Sequence, residues 1–119
     1  MRTVLIVDDE FGNVDVLAIL LEEEGYRVLS AANGRRALEQ LAANIPDLVI
    51  SDFMMPLMDG AALALAMRDD PVYRNIPIIM VSSAPEESIR RRFDGYKAFL
   101  RKPFRQSDLL TLVRSTLGS

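Results

Sequence analysis

Hydrophobic residues fall along this chain in two alternating rhythms. Short runs of β-branched and aliphatic residues alternate with longer stretches in which apolar positions recur every three or four residues. Thr3–Val7, Arg27–Ala31, Leu48–Ser51, Ile78–Val81 and Ala98–Leu100 read as strands. The first, third and fourth are essentially continuous Val/Ile/Leu/Met runs, the pattern of parallel strands buried on both faces. Val14, Leu17, Ala18 and Leu21 follow the i, i+3, i+4, i+7 spacing of a helix, which Gly25 closes. Asn33 is placed to cap a second helix carrying Ala37, Leu38 and Leu41. Gly60–Arg68 is a third, apolar nearly all round, so the pattern does not assign its buried face. Ser83 and Glu86, with Pro85 between them, form a capping box that predicts the start of a fourth. Leu109, Leu112, Val113 and Leu117 mark a fifth. Five β-then-α units predict a doubly wound α/β fold, a five-stranded parallel sheet with helices on both faces.

Length and composition narrow this picture. The 119 residues are one domain's worth, 1–119, and half are hydrophobic. A chain of this size buries roughly two-thirds of the surface its unfolded form exposes, so it needs no staple. It has no cysteine, which excludes disulfides and thiol chemistry and fits a reducing cytoplasm. It has no histidine, which excludes imidazole-based zinc sites and a phosphohistidine on the chain itself. The longest apolar stretch, Val16 to Leu21, is far short of a membrane span, so the expectation is a soluble, cytoplasmic protein without a membrane partner. A net charge of −3 argues against direct nucleic-acid binding. That charge is unevenly spread: residues 1–59 hold eleven acids and four bases, residues 60–119 six acids and ten bases. Two such halves can be the walls of one polar site or merely two solvated faces.

In a doubly wound sheet, ligands bind beyond the carboxyl ends of the strands. Asp8, Asp9 and Glu10 follow the first predicted strand, Asp52 the third, Ser82 and Ser83 the fourth, and Lys102 and Pro103 the fifth. Each has an ordinary reading: acids after a strand cap the next helix, a serine there is commonly a turn residue, and a lysine is commonly a surface charge. Asp52 is harder to treat so, because it adjoins a buried run and unpaired buried carboxylates are rare. Lys102 stands out because twelve of the fourteen basic residues are arginine, and a compact ammonium suits a small anion in a tight cleft. Three crowded carboxylates repel one another, and a hard cation such as Mg²⁺ would relieve them. Such a cation would also draw a phosphoryl group and neutralise charge during its transfer, giving an aspartyl phosphate. There is no glycine-rich phosphate loop, so a nucleoside triphosphate is not the expected direct donor.

Together these residues resemble the receiver family of two-component response regulators along nearly the whole chain. The resemblance rests on Val4 to Glu10, Asp47 to Gly60, Ile78 to Ser83, and Lys102-Pro103-Phe104. It implies a flavodoxin-like strand order 2-1-3-4-5, the order the doubly wound rule itself gives for this family's fold. It implies Asp52 as phospho-acceptor, with Asp9, Asp52 and the backbone carbonyl of Met54 as Mg²⁺ ligands and Asp8 acting on the metal through water. Lys102 would bind the phosphoryl group, before Pro103 across what is often a cis bond in the family. Ser82 would be the switch hydroxyl and Phe99 its aromatic partner. The donor would be a histidine kinase or a histidine phosphotransfer protein, and a downstream protein would read the changed surface. The chain would catalyse only its own phosphorylation and dephosphorylation.

Three departures stand out. The Ser82–Gly95 span is shorter than the family's usual fourth-helix region by about two residues. Asp94-Gly95-Tyr96 stands where Ala-Gly-Ala is common, and Met54 and Ala84 are apolar where some relatives carry polar side chains. Two other readings compete. One is an interaction module that signals without phosphate. The other is an enzyme of flavodoxin-like or haloacid-dehalogenase-like kind, against which stand the missing Asp-x-Asp motif and the missing phosphate loop.

Overall fold

The computed structural model describes residues 1–118; Ser119, the last residue of the expected domain, lies outside the described residues. Strands β1 (Thr3–Val7), β2 (Arg27–Ala31), β3 (Leu48–Asp52), β4 (Ile78–Ser82) and β5 (Ala98–Arg101) alternate with helices α1 (Phe11–Glu23), α2 (Gly34–Ala43), α3 (Gly60–Arg68), α4 (Glu86–Arg90) and α5 (Gln106–Leu117). The strands pair in parallel in the order β2-β1-β3-β4-β5, as expected.

Alternation along the strands sorts side chains into two cores. Val4, Ile6, Leu48, Ile50, Ile79 and Val81 point to one face, where Val14 and Leu21 of α1 and Leu109, Val113 and Leu117 of α5 cover them. Leu5, Val7, Val49, Ile78 and Met80 point to the other, under α2, α3 and α4. Both faces of β1, β3 and β4 are therefore dry, which is why these runs do not alternate with polar residues. Each fully buried Leu or Ile contributes about 1.5–3 kcal/mol. The edge strands β2 and β5 are only partly buried and carry Arg27, Ser30 and Arg101 on exposed positions.

Most predicted helix signals hold. The Asn33 side chain accepts from the Arg36 N–H at 2.9 Å, and Gly25, one residue past the C-cap Glu24, takes φ +92°. The face of α3 that the sequence left open is Ala61, Leu63, Ala64 and Met67. The fourth helix corrects the sequence reading. Ser83 does not cap it; extended Pro85 occupies the N-cap without a side-chain bond, and the helix is only five residues long. Glu86 is thus the first helical residue, and its carboxylate is engaged elsewhere, accepting from the Tyr96 hydroxyl at 2.6 Å and from Arg90 Nε at 3.2 Å. Strands β3, β4 and β5 each run one residue further than predicted. Pairing continues there, with Asp52 opposite Val81 and Ser82 opposite Arg101.

Gly60 opens α3 directly beneath the end of β3. A Cβ there would lie 2.6 Å from the Asp52 carbonyl oxygen and 2.9 Å from the Met80 sulfur, and the first of these belongs to the buried backbone. Gly60→Ala is therefore expected to destabilise the fold by about 1–3 kcal/mol, read as a lower urea midpoint. An unchanged midpoint would show that the loop yields freely.

Candidate phosphoryl and cation site

Adjacency of β1 and β3 brings Asp8, just past one strand, beside Asp52, the last residue of the other. One oxygen from each of Asp8, Asp9 and Asp52 lies within 4.8 Å of the others. Asp8 and Asp52 are buried and Asp9 is exposed. Asp8 Oδ1 accepts from the Glu10 N–H at 2.9 Å, which turns the chain into α1 and leaves Oδ2 facing Lys102. Lys102 Nζ stands 3.4 Å from Asp52 Oδ2 and 3.7 Å from Asp8 Oδ2. The lysine is aimed by its own backbone, whose N–H donates to the Ser82 carbonyl at 2.9 Å, and the bond from Lys102 to Pro103 is cis.

The other expected site residues make contacts of their own. Ser82 is 1% exposed, and its hydroxyl accepts from the Ala84 N–H at 3.0 Å. Phe99 is not in the cluster; its ring stands 6.1 Å from Tyr96 on the side of α4. Met54, two residues past Asp52, is 66% exposed. A cleft of about 530 Å³ opens over Asp8, Asp52 and Lys102, and its far wall is apolar, formed in part by Val16, Leu17 and Phe104. Arg92, which the sequence did not single out, reaches the loop after β3 and bonds Asp59 at 2.8 Å. Nothing in the local pattern marks it, because its partner is 33 residues away.

Burial pushes the Asp52 carboxyl above its ordinary value; the Lys102 ammonium opposes this and the Asp8 carboxylate adds to it. Lys102 faces two of the three carboxylates, Asp8 and Asp52, which are also the two held out of water. Oxygen donors at this spacing fit a hard divalent cation, which would remove the repulsion.

A model of the response regulator receiver domain matches residues 4–114. The chain belongs to this family. The response regulator PleD of Caulobacter vibrioides is 36% identical over 114 residues, covering 94% of this receiver and 25% of PleD. The phosphate regulon transcriptional regulatory protein PhoB of Pseudomonas aeruginosa is 34% identical, covering 98% and 52%. This receiver thus spans a quarter of one relative and about half of the other. It covers 97% of the polar-differentiation response regulator DivK of Brucella anthropi, which is 31% identical. Among solved structures, the chemotaxis response regulator CheY4 of Vibrio cholerae superposes with a TM-score of 0.91 at 32% identity, over 98% of this chain and 99% of that one. The receiver domain of the sensor histidine kinase PA1611 of Pseudomonas aeruginosa gives 0.90 at 27% identity, over 99% and 98%, and holds a magnesium ion in its active-site cleft. This protein is accordingly a receiver of two-component signalling, and among its described residues no helix is long and apolar enough to cross a membrane.

Raising the Asp52 carboxyl by burial has a consequence for stability. The folded carboxyl holds its proton more tightly than the unfolded one, so stability is full below the unfolded value of about 4 and falls as pH rises through the folded one. Asp52→Asn removes that loss. In metal-free buffer the variant should melt above the wild type at pH 7, with the gap closing as pH is lowered below about 4. A variant melting at or below the wild type at pH 7 would mean that Lys102 outweighs burial.

Proposed function

We propose that this receiver is a phosphorylation switch that takes a phosphoryl group from a histidine kinase or histidine phosphotransfer protein onto Asp52, with Mg²⁺ bound. The observation that carries this reading is Asp52 itself: buried at a strand end, 3.4 Å from the Lys102 ammonium, with two further carboxylates within 4.8 Å. Asp9, Asp52 and the Met54 carbonyl would hold the cation directly, and Asp8 would act through water. The cation would supply charge neutralisation for the incoming phosphoryl oxygens.

The residues divide the work. An Asp52 carboxylate oxygen attacks phosphorus, the bond from phosphorus to the donor imidazole nitrogen breaks, and an acyl phosphate remains on Asp52. Lys102 exchanges its carboxylate contact for a phosphoryl oxygen, holding it as a point charge that a planar guanidinium would not reproduce. The Ser82 hydroxyl, which now accepts from the Ala84 N–H, turns to donate to another phosphoryl oxygen. Release of that turn frees the segment before α4, and Phe99 follows it, changing the surface offered to a downstream protein. No other substrate is processed, so the chain acts as a switch rather than as a metabolic enzyme.

Acetyl phosphate with Mg²⁺ is expected to add the mass of one phosphoryl group, labile as an acyl phosphate, to the wild type and none to Asp52→Asn. Equal gain in the variant would reassign the acceptor.

Hydrolysis of the acyl phosphate needs a water in line with the phosphoryl bond. Met54 is exposed and Ala84 half-buried, and neither side chain gives a strong hydrogen bond to orient such a water. Slow self-dephosphorylation follows, with reset by a phosphatase or by reverse transfer. Met54→Asn should speed phosphate loss several-fold in Mg²⁺ while sparing the backbone carbonyl. Equal decay of the two proteins would leave residue 54 without kinetic meaning.

A further inference from the structure

Arg92 lies two residues past the end of α4, and its side chain touches the loop after β3 at two points. Nη1 donates to Asp59 Oδ2 at 2.8 Å, and the guanidinium carbon stands 5.4 Å from the centroid of the Phe53 ring. Both anchors are themselves fixed. Asp59 caps α3 through its other oxygen, accepting from the Ala62 N–H at 2.9 Å. Phe53, the residue after Asp52, is buried; its N–H donates to the Val81 carbonyl and its carbonyl accepts from the Gly60 N–H, each at 2.8 Å. On its own side Arg92 is held by its N–H to the Ile89 carbonyl at 3.0 Å and by buried Phe93 next to it.

A helix of five residues cannot hold itself in water. The placement of α4 therefore depends on Ile89 and Phe93 in the core and on polar ties at its two ends. Glu86 and Tyr96 make one, within the segment; Arg92 makes the other, out to the phosphorylatable strand. An ion pair as exposed as this one adds little to global stability. What it adds is a connection. The geometry points to Arg92 as a positioning residue that ties the segment after α4 to the loop after β3, so that displacement of either is carried to the other. Its use in signalling rests on phosphorylation at Asp52, whereas the tie itself exists without phosphate.

Amide hydrogen exchange on the metal-free, unphosphorylated chain tests the tie independently of that reading. Asp59→Asn keeps an oxygen for the helix cap and removes the charge; Arg92→Ala removes both contacts. Each should speed exchange on the far side by about threefold or more, at residues 89–93 for Asp59→Asn and at 53–60 for Arg92→Ala. The double variant should add little to either single, and Arg92→Lys should restore most of the protection, because it keeps the cation. Far-side exchange unchanged in both single variants overturns the tie, as does an Asp59→Asn effect confined to α3. Beryllofluoride with Mg²⁺, read by amide shifts, then tests transmission. Wild type should shift at 52–54 and at 86–93, and Arg92→Ala should keep the first and lose at least half of the second. Equal shifts at 86–93 in the two proteins overturn transmission. A wild type without shifts at 52–54 instead removes the phosphorylation reading, and the exchange result decides the tie by itself.

Discussion

Two carboxylates held out of water beside a single ammonium are the constraint around which this receiver is arranged. Asp8 and Asp52 repel each other, and burial makes the ionised form of Asp52 costly. Lys102 offsets part of that cost from 3.4 and 3.7 Å, and the exposed Asp9 adds a third negative group at the edge. Oxygen donors crowded in this way fit a hard divalent cation, whose charge would relieve the repulsion. The poor stability of the arrangement and its capacity for chemistry have the same origin.

The sheet makes this arrangement possible because its order is not the order of the chain. β1 lies between β2 and β3, so the residues after β1 meet the end of β3 even though 44 residues separate Asp8 from Asp52. Lys102 arrives from the sheet edge, where its N–H bonds to the Ser82 carbonyl at the end of β4. The same bond ties the lysine, just past β5, to the serine that ends β4. Dry packing on both faces of β1, β3 and β4 keeps these ends from shifting, since a core at this density transmits displacement rather than absorbing it. The elements around the site are held less firmly. α4 is one short turn pinned by side chains, and the loop from Phe53 to Asp59 rests against Arg92. Local opening therefore costs least in these connections and most in the strands.

Much of the candidate site was legible because each member follows an apolar run, and the end of such a run is a place that periodicity locates well. Asp8, Asp9, Asp52 and Lys102 were found in this way, and they are the residues the fold brings together. Ser82 was located in the same way, at the end of the fourth run, whereas its switch role and Phe99 came from family resemblance; the Ser82 hydroxyl is bonded to the Ala84 N–H and Phe99 stands beside Tyr96. Arg92 was not legible at all. It sits in a row of three arginines that the pattern cannot tell apart, and what distinguishes it is a partner 33 residues earlier.

Local chemistry accounts for what the amino-acid sequence determined alone: five strands, five helices, the Asn33 cap, the Gly25 turn and the acidic strand ends. These depend on neighbours within a few residues, where spacing and residue type act directly. Tertiary structure decided the rest. It chose the buried face of α3, which is apolar on every side, by setting it against the sheet. It let pairing with β4 carry β3 on through Asp52. It also replaced the Ser83 capping box: Pro85 takes the N-cap, and the Glu86 carboxylate that would have completed the box accepts from the Tyr96 hydroxyl, ten residues away. A side chain offered two acceptable bonds takes the one that the fold brings within reach, and that reach is not written in local spacing.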